Sequence, residues 1–385
     1  GFNNPFYRES GLFEEICTFL RSENTEGNYC GQARALFSLI KQEPNISLTL
    51  GHHCTDITHS SSKDRIESCT ILSHAHQLKY LHRSQYFIDC SISGELSKLA
   101  NAPGESNKCV NPELVPNKED FARSDVLIEI ETVQDNSTFK CPTWVESRWE
   151  NNLPEAKLAL LKSLEKRFCG FHLIEWCGQG AHCPTPDELC WSAWDFIKNR
   201  SPLKERASKL RIKRVIPQPS NKDLFRGTGD YELTKDDIFN GKEFYDSVAV
   251  SRAPIVEAKG QLNSKDRKIA LPHFFEIPLR SLYSTKIKNL LWAGPHISCD
   301  EIVSDTLVHP PTLAQIGSAV GYCAAKAISE NRLPRTIAKK GHIEQLQRDL
   351  YQKNHRIAKS LPLDENDLAV KGEFSGSTTW LNNGL

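Results

Sequence analysis

A chain of 385 residues can bury a substantial core, and its length suggests two or three domains. Its 48 Lys+Arg balance 48 Asp+Glu, which argues against a coat for nucleic acid or a polybasic arm for membrane surfaces. No apolar run approaches the roughly 18 residues that span a bilayer, and no signal-like segment opens the chain.

In chain order, residues 11–21 (GLFEEICTFLR) place Leu12, Ile16, Phe19 and Leu20 at helical spacing, and a second helix is predicted over 32–41, stopped by Pro44. Short strand-like runs follow at 46–50, 54–58 and 66–72, separated by polar turns, and suggest a meander. The run 85–90 (QYFIDC) reads as a buried strand leading at once into a turn and a helix at 95–100. Residues 101–118 turn to Pro, Asn, Gly and Glu and read as a linker. Beyond it come a strand at 126–132, a helix at 155–168, a strand at 171–176, an amphipathic helix at 187–199 and a polar break at 261–268. The strand 288–293 (KNLLWA) ends in Gly294 and a polar loop with Ser298, Asp300, Glu301 and Ser304. A helix at 312–329 then presents Gly317, Ala319, Gly321, Ala324 and Ala325, small residues that let a helix lie close to a sheet or a ligand. A charged helix at 343–354 precedes a polar tail.

Several constellations carry little chemistry. Gly178-Gln179-Gly180 follows a strand, but Cys183 holds the third glycine position and Pro184 and Pro186 come next, so it reads as a loop and not a dinucleotide turn. Cys169, Cys177, Cys183 and Cys190 with His172 and His182 are spaced too irregularly for zinc, and no metal is expected. His52 and His53 beside Cys54 alternate across a strand, so they do not form a dyad. The thirteen cysteines contain no CxxC pair and read as buried thiols. The chain opens at Gly1 and holds no methionine, and the opening residue suggests a processed or truncated product.

The ordered set NPFYRESGLFEEI, QYFIDCSISGELSKLANAP, HLIEWCG, AWDFIKNRSP, LFRGTGDYELTKDDI, FYDSVAV, IPLRSLYSTKIKNLLWAGPHIS and PPTLAQIGSAVGYCAAKAI resembles the FAD-dependent oxidoreductases of the xanthan-lyase-like type. The resemblance runs from about residue 4 to residue 350 and lacks the amino-terminal GxGxxG. It implies an α/β fold with an α+β insert. An incomplete Rossmann-like FAD/NAD(P)-binding domain is joined to a mixed sheet and helix substrate domain. The expected divisions are 1–115, a partial FAD-binding domain with a strand meander; 116–285, the substrate or cap domain; 286–360, the return of the FAD-binding domain with a C-terminal helix; and 361–385, a tail. FAD is the implied cofactor, and hydride transfer from a small organic substrate to the flavin is the implied reaction. The competing reading is a degenerate, non-catalytic relative kept as a binding or scaffold protein.

Carried over position by position, the resemblance assigns Asp89, Gly94, Gly294, Ser298 and Thr312 to the cofactor. It adds His296, new relative to the family and next to the flavin-facing glycine. Arg226, Tyr231 and Arg280 are the expected substrate contacts, with Tyr231 a candidate proton donor. The family's pattern also departs here. Ile92 and Ser93 replace a glycine and an aspartate, and Pro295 replaces an arginine. Glu301 stands for a histidine, while Asp305 and Val308 stand for a glycine and an arginine. Losing arginines removes charge-assisted bonds to a diphosphate.

Overall fold

The computed structural model describes residues 10–24, 29–108, 121–145, 153–179, 184–217, 223–257, 267–269, 271 and 273–357. The tail 361–385, Gly180 to Cys183 and most of the break at 261–268 lie outside the described residues. Among those described, helices and small sheets alternate, and no helix is long and apolar enough to cross a membrane.

The meander forms as the alternation predicts. Strands His52–His59, Ile66–Ser73 and Lys79–Arg83 pair antiparallel in that order. Residues 46–50 form no strand, and the third strand is exposed along its whole length. The inner face packs Ile66 and Cys69 onto Phe87, Ala100, Ile287 and Leu290. Asn289 clamps this junction: its amide accepts from the Ile66 N–H at 2.9 Å and donates to the carbonyls of Ile66 at 2.8 Å and Gln85 at 3.0 Å.

Phe87–Asp89 and Leu290–Trp292 run parallel, with Trp292 opposite Asp89. Two strands 200 residues apart in sequence therefore end at the same edge. The stretch expected as a linker contributes a strand, Gly104–Lys108, paired antiparallel with Asp223–Gly227. Composition misleads there because Gly104 is required by contact: a Cβ on it would meet the Arg226 carbonyl at 2.4 Å and the Phe225 ring at 2.4 Å.

A separate core lies between 126 and 212. The central strand Phe121–Thr132 pairs with Gly170–Gln179 on one side and Leu210–Pro217 on the other. Val126, Ile128 and Ile130 alternate inward, as period-two burial demands, and meet Leu160 and Leu164 of helix Pro154–Lys166 and Leu189 of helix Pro186–Asp195. Thr185 and Glu188 close a capping box at the start of the latter. That helix passes into a π turn, Phe196–Arg200, which buries the Lys198 ammonium against the carbonyls of Ser137, Ala207, Ser208 and Leu210.

The largest core gathers residues from both sides of position 285: Leu233, Val248, Ile277, Leu291, Val303, Ile316, Val320 and Leu346 among them. Helix Pro310–Ser329 packs there through Ile316, Ala319, Val320, Cys323 and Ala327, and its two N-terminal prolines sit where no amide partner is needed. Gly317 and Gly321 have open space where a Cβ would go, so close packing comes from the alanines and not from those glycines. The polar loop expected after Gly294 is partly helical: Glu301–Leu307 starts on Asp300, whose carboxylate accepts from the Val303 N–H at 2.9 Å.

Candidate functional site

The paired parallel strands end together, so the turns leaving them share one edge of the sheet. In open α/β folds such an edge is where ligands sit. After Asp89 the chain bends back over it: Asp89 Oδ1 accepts from the Ser91 N–H at 3.0 Å and the Ser91 hydroxyl at 2.6 Å. Its Oδ2 accepts from the Ser97 N–H at 2.9 Å and the Ser97 hydroxyl at 2.7 Å. Ser97 in turn accepts from Trp292 Nε1 at 3.0 Å, which links both strand ends in one network. Burial works against the Asp89 charge, and these donors outweigh it, so the carboxyl stays below the usual carboxylate range.

The second strand leaves through Ala293-Gly294, with the Ala293 N–H on the Asp89 carbonyl at 2.9 Å. Gly294 presents a bare Cα. A Cβ there would lie 2.5 Å from the Ser91 carbonyl and 2.5 Å from Cε1 and Nδ1 of His296. His296 is 0% exposed, and neither ring nitrogen has a hydrogen-bond partner. Its Nε2 is 3.5 Å from Asp89 Oδ2. Burial lowers the imidazole pKa, and Asp89, already supplied with four donors, does not require a cation beside it. We therefore read a neutral imidazole next to an ionised carboxylate.

Strand Asp223–Gly227 closes the site from one side. The Gly227 N–H donates to the His296 carbonyl at 3.0 Å, and the missing Cβ of Gly227 makes room for the Trp292 indole. Arg226 is buried, with Nη2 3.7 Å from the exposed Glu105 carboxylate. It also lies close enough to Cys299 to oppose the strong upward push that burial exerts on that thiol. Ser298 is buried, with its N–H on the Ser281 carbonyl at 3.0 Å and its own carbonyl accepting from Leu233. Gly94 is pinned in a left-handed conformation, φ 68°, against the Phe225 ring.

The structure thus brings Asp89, Gly294 and His296 into direct contact, with Arg226 and Ser298 on the adjoining segments. Tyr231 and Arg280 belong to a neighbouring cluster. Arg280 holds the fully buried Asp246 carboxylate through Nε at 3.1 Å and Nη2 at 3.0 Å, and stacks over the rings of Tyr231 and Tyr245. The Tyr231 hydroxyl donates to Asp237 at 2.8 Å and accepts from Lys242 at 2.6 Å. Burial raises this phenol above its ordinary pKa, with Lys242 opposing and Asp237 adding. Thr312 sits in the first turn of its helix, hydroxyl to hydroxyl with Ser251 at 2.7 Å and 3.2 Å from His309 Nδ1.

Sequence reasoning missed Ser91, Ser97 and Trp292 as members of the Asp89 network, and Asp246, Asp237 and Lys242 around the two outer candidates. The segment FYDSVAV already placed Asp246 in an apolar run, where a carboxylate demands a partner. The serines gave no such signal, because serine is ordinary in any turn. Among the described residues no group of three His, Cys, Asp or Glu side chains is placed to hold a metal ion. His182 and Cys183 lie outside them. His53 instead stacks on His74, with Nδ1 and Nε2 2.8 Å apart.

An extended dinucleotide needs parallel strand ends, a glycine its backbone can approach, and buried polar groups still wanting partners. Asp89, Gly294 and the unpartnered His296 ring supply these, so the residues present fit FAD at this edge. Neither a curated protein nor a solved structure matches the chain. A family model described as FAD dependent oxidoreductase matches residues 8–350, far more than half of the sequence. The chain belongs to the FAD-dependent oxidoreductase family, whose cofactor is FAD.

Proposed function

We propose that the protein oxidises a small organic substrate by hydride transfer, with the cofactor along the shared end of Phe87–Asp89 and Leu290–Trp292, and that it stands with the xanthan-lyase-like members of its family. The observation that carries this is the parallel pair ending at Asp89 and Gly294. FAD, when bound, supplies the hydride acceptor. Asp89, Gly294, His296 and Ser298 would hold it from the strand ends and Thr312 from the helix behind. The fold class that goes with this reading is a Rossmann-like cofactor domain with a substrate domain inserted, the latter built on the core between Val126 and Leu210.

Three residues are assigned to the substrate. Arg280 is held by Asp246 and two aromatic rings, so its charge is fixed in direction without further ordering. Tyr231 keeps its proton at Oη and sits between a cation and a carboxylate, a relay through which that proton can be passed and restored. Arg226 orients acidic groups from the strand that lines the site. The purified protein mixed with FAD should retain a stoichiometric, protein-bound flavin spectrum after desalting. That spectrum should bleach without oxygen when a hydride-donating substrate is added. Absence of any bound flavin would sink the reading.

A further inference from the structure

The face of Gly294 that a dinucleotide must approach is already taken. The His296 ring lies where a Gly294 Cβ would point, with Cε1 and Nδ1 2.5 Å from that position. No atom can reach the glycine from that side while the ring is there. Yet little holds the ring. It is wholly buried, but neither nitrogen has a hydrogen-bond partner. Its nearest charged neighbour, Asp89, is 3.5 Å away and already has four donors from Ser91 and Ser97. Leaving would cost the imidazole packing but no hydrogen bond, and would return two polar nitrogens to solvent or to a polar ligand. Such a group is a displaceable occupant and not a structural pin.

We propose that His296 is an internal stand-in for the cofactor: its imidazole fills the Gly294 seat when FAD is absent and must swing out for FAD to bind. This rests on the placement of FAD proposed above. Apparent affinity is then lowered by the fraction of molecules with the seat closed, and the residue sets that fraction. The imidazole acts by volume and not by charge, which separates it from a residue that grips the cofactor directly.

The test measures FAD binding by equilibrium dialysis and by quenching of flavin fluorescence for the wild type, His296→Ala and His296→Phe. Emptying the seat should tighten binding about tenfold in His296→Ala if the closed form dominates by that factor. Phenylalanine keeps the ring volume, so His296→Phe should bind no tighter than the wild type. Weaker or unchanged binding by His296→Ala overturns the proposal, as does equal tightening by both variants. A wild-type measurement guards against a variant that does not fold. Deuterium exchange at the His296 ring C–H, read by mass spectrometry, should change rate when FAD is added, and no change refutes the swing. If the wild type binds FAD and the variants disagree with these expectations, the stand-in role fails alone. If no form binds FAD, the cofactor placement fails with it.

Discussion

Replacing Asp89 by asparagine removes the charge on which the two strand ends converge. Four donors, two from Ser91 and two from Ser97, point at that carboxylate inside the protein. Asparagine keeps one oxygen and turns an NH2 group toward the other pair, so about two donors lose their acceptor. A buried donor left unpaired costs about 1–3 kcal/mol, and a bond to a charged group is itself worth about 1.5–3 kcal/mol. Because the donors form one network their costs do not simply add, and a total of about 3–5 kcal/mol is expected. The loss is local, so hydrogen exchange of the peptides spanning 87–99 reports it better than global melting. Exchange at the Ser97 amide should quicken roughly a hundredfold to a thousandfold, at tenfold per 1.4 kcal/mol. The Trp292 near-UV signal should weaken too, since Ser97 holds its indole. Adding Ser97→Ala to Asp89→Asn should cost much less than Ser97→Ala alone. Exchange unchanged within about threefold would refute the network as the anchor of this edge.

Other outcomes follow from the same geometry. Asp246→Ala leaves Arg280 without its fully buried partner and should destabilise by about 3–5 kcal/mol in denaturant titration; a loss below about 1 kcal/mol would show that the pair is dispensable. Gly227→Ala puts a methyl 2.3 Å from the Trp292 ring and should cost about 1–3 kcal/mol, whereas a wild-type melting temperature would mean that the strand shifts freely. His172, His296 and His355 all have pKa values lowered by burial. The unfolded chain therefore takes up more protons than the folded one. Stability is full above the unfolded histidine value of about 6.5 and falls as pH drops below it toward the folded values. The midpoint of thermal unfolding should decline from pH 7 to pH 5, and a midpoint that rises would contradict the sign. Tyr231→Phe removes the hydroxyl shared by Asp237 and Lys242, and should slow reduction of bound flavin by about 10²–10⁴-fold without loss of FAD; unaltered reduction would remove it from proton transfer.

Much of this protein can be read along the chain. Periodicity placed the meander at 54–58 and 66–72, the strand ending at Asp89, and the long helix now bounded by Pro310 and Ser329, because burial on one face imposes a local repeat. Family resemblance reached the cofactor, since the motifs that carry it lie in order over most of the chain. What the sequence could not decide was set by contacts between distant segments. The strand at Gly104–Lys108 exists because Asp223–Gly227 lies beside it, and its polar composition hides that pairing. The small-residue helix packs on alanines and leaves its glycines open, a choice made by which face meets the sheet. Asp89 and His296 are 207 positions apart, and only the parallel pairing of their strands brings a carboxylate and an unpartnered imidazole to one glycine. Local propensity acts over a few residues, whereas a site is made where the ends of separate strands are forced to coincide.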